Sequence, residues 1–271
     1  MDQQALTEAA SRLSKAGIEG AVREARMLWR AAMPRRYTDH DDISNGTMLS
    51  RFESLVARRI AREPMSHLVG YRDFYKHRFR VTADVLDPRP ETETLVLAAL
   101  GRPFDRVLDL GTGSGAIILS VLADRPEATG LGTDLSEAAL TVARDNRDRL
   151  DLTRQAEFAV SDWYDAVMGR FDLIVSNPPY IAVNEMEDLA PELSFEPRMA
   201  LTDEADGLSA YRKIIRGAPA HLEPGGALMV EVGATQAEDV TALFKEAGFT
   251  EITRHPDLDG RNRVISGRFI A

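Results

Sequence analysis

The fold is decided by Val107-Leu108-Asp109-Leu110-Gly111-Thr112-Gly113-Ser114-Gly115, which reads as a buried strand followed by a glycine loop and the start of a helix. Glycine permits positive φ and a close approach of the backbone to a ligand, and a helix N-terminus offers unpaired N–H groups to an anion. Gly111, Gly113 and Ala116 also satisfy the permissive dinucleotide pattern Gly-x-Gly-x-x-Gly/Ala. The loop therefore predicts a site for an anionic group and leaves the class of ligand open.

Strands and helices alternate outward from this loop, which is typical of a mostly parallel sheet covered on both faces. The last two strands are joined by residues 256–260, a connection too short for a crossover helix, so we expect them to be antiparallel. The pattern predicts an α/β fold with a doubly wound, mostly parallel, seven-stranded sheet. The predicted strands are Arg106–Leu110, Thr129–Thr133, Ala156–Val160, Phe171–Ser176, Ala227–Glu231, Phe249–Arg254 and Arg263–Arg268.

The first 63 residues predict a small helical domain. Helices are expected over Gln3–Ala16, Ile18–Met33 and Met48–Arg62, the second stopped by Pro34 and the third by Pro64. From Ser66 to Val81 aromatic and polar residues alternate, which indicates a hairpin-like connector. We expect a helical domain with this connector over 1–84 and a second domain over 85–271.

Composition excludes several classes of site. The 271 residues include no cysteine, which removes disulfides, thiolate nucleophiles and cysteine-ligated metals. The five histidines are scattered without metal-ligand spacing, so no metal is expected. The N-terminus lacks the features of a signal peptide and no apolar run reaches membrane-spanning length, so we expect a cytoplasmic protein without membrane contact.

Charge is distributed unevenly along the chain, whose net charge is −10. Residues 1–80 carry 15 basic and 10 acidic side chains, whereas the remaining residues carry 18 and 33. Affinity for duplex nucleic acid comes largely from Lys and Arg that neutralise phosphates. An acidic catalytic body therefore argues against stable nucleic-acid binding.

The tetrapeptide Asn177-Pro178-Pro179-Tyr180 directly follows a predicted strand. Consecutive prolines cannot continue a central strand, so these residues form a stiff loop at the carboxyl edge of the sheet. An amide or aromatic amine has a delocalised lone pair and is a poor nucleophile until it is oriented. The Asn177 side-chain oxygen and the Pro178 carbonyl can each accept one N–H, while Tyr180 packs against the planar group. The alternative interpretation is a rigid turn without a chemical role.

Three acidic positions and one tryptophan bear on the cofactor. Asp109 would repel a pyrophosphate but favours a ligand with an ammonium and a sulfonium, which indicates S-adenosyl-L-methionine rather than a dinucleotide. Asp134 ends the second strand, where it can bind both ribose hydroxyls or, alternatively, cap the next helix. Asp162 and Trp163 follow the third strand, so the indole can stack on adenine with Asp162 near its amine, or Trp163 is a core residue.

With these motifs in view, the chain resembles the bacterial release-factor glutamine methyltransferases, the HemK or PrmC family, over nearly its whole length. Asn-Pro-Pro-Tyr is shared with adenine-N6 methyltransferases, whereas Pro-Arg-Pro-x-Thr-Glu, here 88–93, is more discriminating. The resemblance implies that the cofactor is bound by Gly111, Thr112, Gly113, Ser114, Gly115, Asp134, Trp163 and Asn177. It also implies that Asn177, Pro178, Pro179 and Tyr180 bind the substrate glutamine. Further matching segments are 63–70, 161–163, 195–197 and 260–264.

The resemblance implies a Rossmann-like methyltransferase that acts in translation termination. Its substrate would be the amide nitrogen N5 of the glutamine in the Gly-Gly-Gln motif of class 1 peptide chain release factors, gripped by the helical N-terminal domain. Rival hypotheses are a ribosomal-protein glutamine, adenine-N6 of DNA, which requires base flipping and a basic cleft, or a cofactor-binding partner without catalysis. The intact Asn177–Tyr180 element argues against the last of these.

One departure from the family pattern concerns the segment before the proline-rich motif. Asp87 stands where the family usually has an aliphatic residue, which leaves the path of this segment open. Arg89 either contacts the active site or braces it, and the same two roles are open for Glu196.

Overall fold

The computed structural model describes residues 2–33 and 45–270. These described residues divide into two compact units. The first contains those up to Tyr71 together with Ala190–Phe195, and the second contains Arg72–Leu189 and those from Glu196 onward. No helix in the described residues is both long and apolar enough to span a bilayer.

Unit 1 is helical and has a core of its own. Trp29 and Phe52 meet edge to face with ring centroids 5.0 Å apart, and Leu13, Leu28 and Val56 are fully or almost fully buried around them. The helices of this unit are Gln3–Lys15 (α1), Ala21–Ala32 (α2), Asn45–Ile60 (α3) and Met65–Val69 (α4).

Helix boundaries in unit 1 differ from the sequence-based expectation. The first helix ends at Lys15 rather than Ala16, and the third spans Asn45–Ile60 rather than Met48–Arg62. The second helix begins at Ala21 rather than Ile18, because Gly20 adopts a left-handed φ of 65° at its N-cap. Residues from Ser66 to Val69 were expected in the connector but form α4, which is entered through Pro64 and closed by Gly70 at φ 79°. Pro34, the expected stop of the second helix, lies outside the described residues.

Buried charges also hold unit 1 together. Arg59 is buried, and its guanidinium pairs with Glu24 at 2.8 Å and with Glu192 at 3.2 Å. Glu192 belongs to a short 3-10 helix, Pro191–Phe195, whose sequence position is far from the helices it joins. Because a buried charge without its partner is costly, these pairs fix the returning segment within the unit.

Unit 2 contains the predicted seven-stranded sheet, with strand order β5-β4-β3-β6-β7-β9-β8. β9 is antiparallel to both of its neighbours, and the other adjacent pairs are parallel. The short 256–260 connection predicted the antiparallel pairing of β8 with β9. A separate two-stranded sheet is formed by Tyr71–Phe74 (β1) and His77–Arg80 (β2). The strands of the large sheet are Arg106–Leu110 (β3), Thr129–Asp134 (β4), Ala156–Val160 (β5), Phe171–Ser176 (β6), Leu222–Glu231 (β7), Thr250–Pro256 (β8) and Asn262–Arg268 (β9).

Helices cover both faces of this sheet because its central strands are apolar on both sides. On β3, Val107 joins one hydrophobic cluster with residues of α5 and α6, whereas Leu108 and Leu110 join a second cluster with residues of α9 and α10. The fold thereby buries the strands and leaves their carboxyl ends free to carry a site. The helices of unit 2 are Glu93–Leu100 (α5), Ala116–Ala123 (α6), Glu137–Arg149 (α7), Arg198–Leu201 (α8), Ser209–His221 (α9) and Ala237–Glu246 (α10).

Candidate functional site

A cavity of about 580 Å³ lies at the carboxyl edge of the sheet in unit 2. Four adjacent strands, β3 to β6, deliver residues to it, which is where parallel α/β sheets bind ligands. Six of the residues that the sequence assigned to cofactor binding line this one cavity: Gly111, Gly113, Asp134, Asp162, Trp163 and Asn177.

The glycine loop owes its shape to residues that lack a side chain. Gly113 has φ 55° and its N–H donates to Asp134 Oδ2 at 2.9 Å. Gly115 has φ 78°, and a Cβ there would lie 3.0 Å from Leu119 Cδ1 and 3.3 Å from Ala143 Cβ. At Gly115 the loop therefore requires glycine, both for its positive φ and for its close approach to Leu119 and Ala143.

Thr112 and Ser114 support the loop from inside the protein. Both are buried. The Thr112 hydroxyl donates to Asp109 Oδ2 at 2.7 Å, and the Ser114 carbonyl accepts from Asn146 Nδ2 at 2.9 Å. Their side-chain and backbone bonds fix the loop on the strand and on α7.

Asp134 ends β4 and has both carboxylate oxygens in use. Oδ1 accepts from the Ser136 N–H and Oδ2 from the Gly113 N–H, each at 2.9 Å. The side chain that caps α7 is that of Ser136, which accepts from the Ala139 N–H at 3.2 Å. Each oxygen of Asp134 retains a second lone pair for a hydroxyl group of a ligand.

Trp163 and Asp162 form another part of the cavity wall. Trp163 has φ 51°, an unusual conformation for a bulky residue, and its ring lies near Gly111. The indole also packs against the hydrophobic cluster that contains Leu108, so it contributes both to the cavity and to the core. Asp162 is exposed.

The Asn177–Tyr180 loop has two residues at the cavity and two that pack into the protein. Asn177 and Pro179 line the cavity, whereas Pro178 is buried. The Tyr180 carbonyl accepts from Gln236 Nε2 at 2.8 Å, and its ring packs against the second hydrophobic cluster. Burial raises the pKa of Tyr180 to about 12, so its hydroxyl is protonated at neutral pH.

Two further segments form cavity walls that the sequence analysis did not assign. They are residues 84–86 and residues 197–204, joined by Lys213 from α9. Phe195-Glu196-Pro197 was a sequence signal for the second of these segments. The first contains one acid, Asp84, which belongs to no motif, so only the fold reveals it.

Arg89 and Glu196 link the bases of these two segments. Arg89 Nη2 lies 2.5 Å from Glu196 Oε1, and the Asp87 N–H donates to Glu196 Oε2 at 3.3 Å. Asp87 itself lies 3.6 Å from Arg72 Nη1 and 3.7 Å from Arg89 Nη1. Asp87 is thus accommodated as a buried acid beside two cations, and Arg89 braces the segment through Glu196.

The groups around the cavity fit a ligand that is cationic at one end and carries a sugar and a flat base. Asp109 is fully buried, its Oδ1 has no hydrogen-bond partner among the described residues, and burial raises its pKa to about 7. A cation nearby would favour its ionised form. Asp134 offers acceptors for a diol and Trp163 an aromatic surface, which together match S-adenosylmethionine. In the described part of the chain, no three His, Asp or Glu side chains converge on a metal position.

Comparison with known proteins agrees with this geometry. Residues 85–204 match the model of the methyltransferase small domain. A methyltransferase from Pyrococcus furiosus superposes with a TM-score of 0.54 at 17% identity, covering 71% of this chain and 89% of that chain. The human Mettl16 catalytic domain, solved with an RNA hairpin, gives 0.58 at 15% identity, covering 71% and 74%. The solved structures show a shared fold, and the family model identifies a methyltransferase domain within residues 85–204.

Comparisons of the helical unit and of the full-length chain identify the family more specifically. Residues 4–70 match the model of the PrmC N-terminal domain. The release factor glutamine methyltransferase of Cereibacter sphaeroides is 52% identical over 98% of both chains, and that of Rhodospirillum rubrum is 45% identical over 97% of this chain and 83% of its own. A Caulobacter vibrioides protein with the same name is 41% identical over 97% and 94%. The chain therefore belongs to the release factor glutamine methyltransferase family.

Proposed function

We propose that this enzyme methylates the side-chain amide nitrogen of the glutamine in the Gly-Gly-Gln motif of class 1 peptide chain release factors, in the cytoplasm. The observation that carries the proposal is the position of Asn177, at the cofactor cavity and at the start of a proline-stiffened loop. The names of the relatives, at 41–52% identity over nearly the whole chain, support this substrate.

The cofactor would be held by the glycine loop and by three side chains. The glycine loop at the start of α6 suits its carboxylate, Asp134 its ribose, and Asp162 with Trp163 its adenine. When bound, S-adenosylmethionine supplies an electrophilic methyl group on a sulfonium sulfur. The buried acid Asp109 adds negative charge beneath the loop, which favours the cationic end of this ligand.

The transfer chemistry requires that a poor nucleophile be held in one orientation. The Asn177 side-chain oxygen and the Pro178 carbonyl would accept the two N–H groups of the glutamine amide. Both acceptors stand on a loop whose φ angles are restricted at two consecutive prolines, so little motion is lost on binding. As the nitrogen attacks, it gains positive charge, and two fixed acceptors stabilise that charge. Tyr180 would contact the plane of the amide.

This acceptor pair alone does not distinguish glutamine from adenine, because both present two N–H donors on a planar group. The acidic composition of residues 81–271 disfavours the phosphates that accompany adenine in DNA. A glutamine of a ribosomal protein has no such penalty, so selection between protein substrates must come from surfaces outside the cavity.

Unit 1 offers a surface for that selection. Arg23, Arg26 and Arg30 are exposed on α2, and their spacing places them on one face of the helix. None of the three forms an ion pair with another described residue. They line a groove of about 1140 Å³ in unit 1, together with apolar residues such as Leu6 and Met27. We propose that an acidic face of the release factor docks here.

A panel of substrates tests the proposed function. The enzyme would be incubated with methyl-labelled cofactor and, separately, with a class 1 release factor, a ribosomal protein mixture and duplex DNA. We expect label in the release factor and background in the other two. Label in duplex DNA with none in the release factor would refute the assignment.

A further inference from the structure

The side chain at the centre of the proposed chemistry, that of Asn177, is contacted by Thr92. Asn177 Nδ2 lies 3.3 Å from Thr92 Oγ1, a contact between residues 85 positions apart in sequence. Because Thr92 contacts the nitrogen of the Asn177 carboxamide, the carboxamide oxygen is left for a ligand. Thr92 Oγ1 must therefore act as an acceptor toward Asn177.

The Thr92 hydroxyl is available for this task because it does not cap a helix. Thr92 occupies the N-cap position of α5, where a threonine side chain usually accepts from the helix's own N–H groups. Here it has helical dihedral angles, φ −65° and ψ −20°, and makes no cap hydrogen bond. The residue is buried, with only 4% of its surface exposed.

Glu231 is the third member of this cluster. It is the last residue of β7, and because Ser176 pairs with Val230 in the sheet, Glu231 lies at the level of Asn177. The side chain is almost fully buried, its Oε2 has no hydrogen-bond partner among the described residues, and the Thr92 hydroxyl acts to lower its pKa. Burying a carboxylate without a full set of partners is costly, which indicates that this side chain has a role.

Several charged or titratable groups face Glu231 from the surrounding elements. Arg263 on β9 and Arg89 before α5 favour its ionised form, whereas Glu91 in the same segment opposes it. Tyr180 and Tyr211, from the loop after β6 and from α9, also interact with the carboxylate, and the Tyr211 hydroxyl donates to the Glu231 carbonyl at 2.9 Å. Burial outweighs the favourable charges and raises the pKa of Glu231 to about 7.

We propose that Thr92 and Glu231 are positioning residues that keep the Asn177 carboxamide turned with its oxygen toward the substrate amide. An ionised carboxylate can only accept, so the Thr92 hydroxyl donates to Glu231 and its oxygen lone pair accepts from Asn177 Nδ2. A protonated Glu231 can instead donate to the Thr92 oxygen. The Thr92 hydroxyl can then donate to the Asn177 oxygen, which favours the carboxamide orientation with its oxygen toward Thr92. This inference rests on the proposed function, in which Asn177 is the acceptor for the substrate.

The test compares Thr92→Val, Thr92→Ser and Glu231→Gln in the full-length enzyme, with release factor as substrate. Thr92→Val should lower kcat about tenfold, equivalent to about 1.4 kcal/mol, because it deletes the acceptor without changing the volume greatly. The cofactor Kd, measured by calorimetry, should change less than about twofold, since Thr92 lies outside the cofactor cavity. Thr92→Ser should restore most of the turnover. Thr241→Val, which removes another buried threonine hydroxyl on α10, serves as the matched control and should leave kcat unchanged.

The pH profile tests the contribution of Glu231. In the wild type, kcat should rise as the pH increases through about 7, because deprotonation fixes the hydrogen-bond direction. Glu231→Gln should have a lower kcat without this rise. Normal turnover in Thr92→Val, or an unchanged pH profile in Glu231→Gln, would overturn the positioning role while leaving the methyltransferase assignment intact. Absence of methyl transfer by the wild-type enzyme would instead refute the proposed function on which the inference rests.

Discussion

At the scale of single residues, Asp134 carries the strongest expectation for cofactor affinity. Its oxygens accept two backbone N–H groups, and Ser136 performs the capping of α7. Asp134→Ala should therefore weaken S-adenosylmethionine binding by about 1–3 kcal/mol through lost charge-assisted bonds to the ribose. Isothermal titration calorimetry measures the change, with Ser136→Ala as the control for damage to the helix cap. Unchanged affinity in a folded Asp134→Ala variant would remove the ribose role.

A second residue-scale prediction concerns turnover. Asn177→Ala removes an acceptor that orients the nucleophile, and it should lower kcat about a hundredfold or more while the fold survives. Initial rates at saturating cofactor and release factor measure kcat, and circular dichroism checks that the variant is folded. Turnover close to that of the wild type would eliminate the orientation mechanism.

At the scale of elements, β4 depends on glycine for its packing. A Cβ at Gly132 would lie 2.6 Å from Phe158 Cε1 on β5 and 2.9 Å from the Thr112 hydroxyl. Gly132→Ala should lower the free energy of unfolding by about 1–3 kcal/mol, because the ring and the glycine loop must shift. Urea denaturation measures the loss. Thr129→Ala, at an exposed position of the same strand, should change it by less than about 0.5 kcal/mol, and equal effects of both variants would contradict this packing.

The strands show which element boundaries could be predicted from the sequence. The bounds of β3, β5 and β6 were predicted residue for residue, since each is a short run bounded by polar or turn residues. β7 was expected to begin at Ala227 but begins at Leu222, because pairing of Leu222 with Phe171 carries the strand across Pro224-Gly225-Gly226. Local propensity favours a break there, and tertiary hydrogen bonding overrides it.

The sequence predicted several residues that line the cavity, but not the contacts that support them. Asn177, Asp134 and Trp163 stood out because each follows a strand, and parallel strands bring their carboxyl ends to one edge. The link from Thr92 to Asn177 depends on strand order, which places α5 beside β6 and β7, so no local pattern reveals it. The positions of Thr112 and Ser114, which brace the loop from within, were likewise set by tertiary contacts.

At the scale of the whole molecule, the charged surface of unit 1 should govern recognition of the intact substrate. A triple Arg23→Glu, Arg26→Glu, Arg30→Glu variant should raise KM for full-length release factor about tenfold or more, with little effect on KM for a short Gly-Gly-Gln peptide. Added salt should weaken the wild-type preference for the intact protein, because exposed charges are screened over about 8–10 Å near physiological ionic strength. Arg216→Glu, an exposed substitution on α9, is the control. Equal effects on protein and peptide would contradict docking through unit 1.

Mass spectrometry of the release factor, after incubation with enzyme and S-adenosylmethionine, shows whether the enzyme modifies one glutamine amide. We expect one added methyl group on the peptide that contains Gly-Gly-Gln, located on the glutamine side chain. We expect no addition when that glutamine is changed to alanine. A methyl group on any other residue, or an unmodified Gly-Gly-Gln peptide in the presence of active enzyme, would refute this activity.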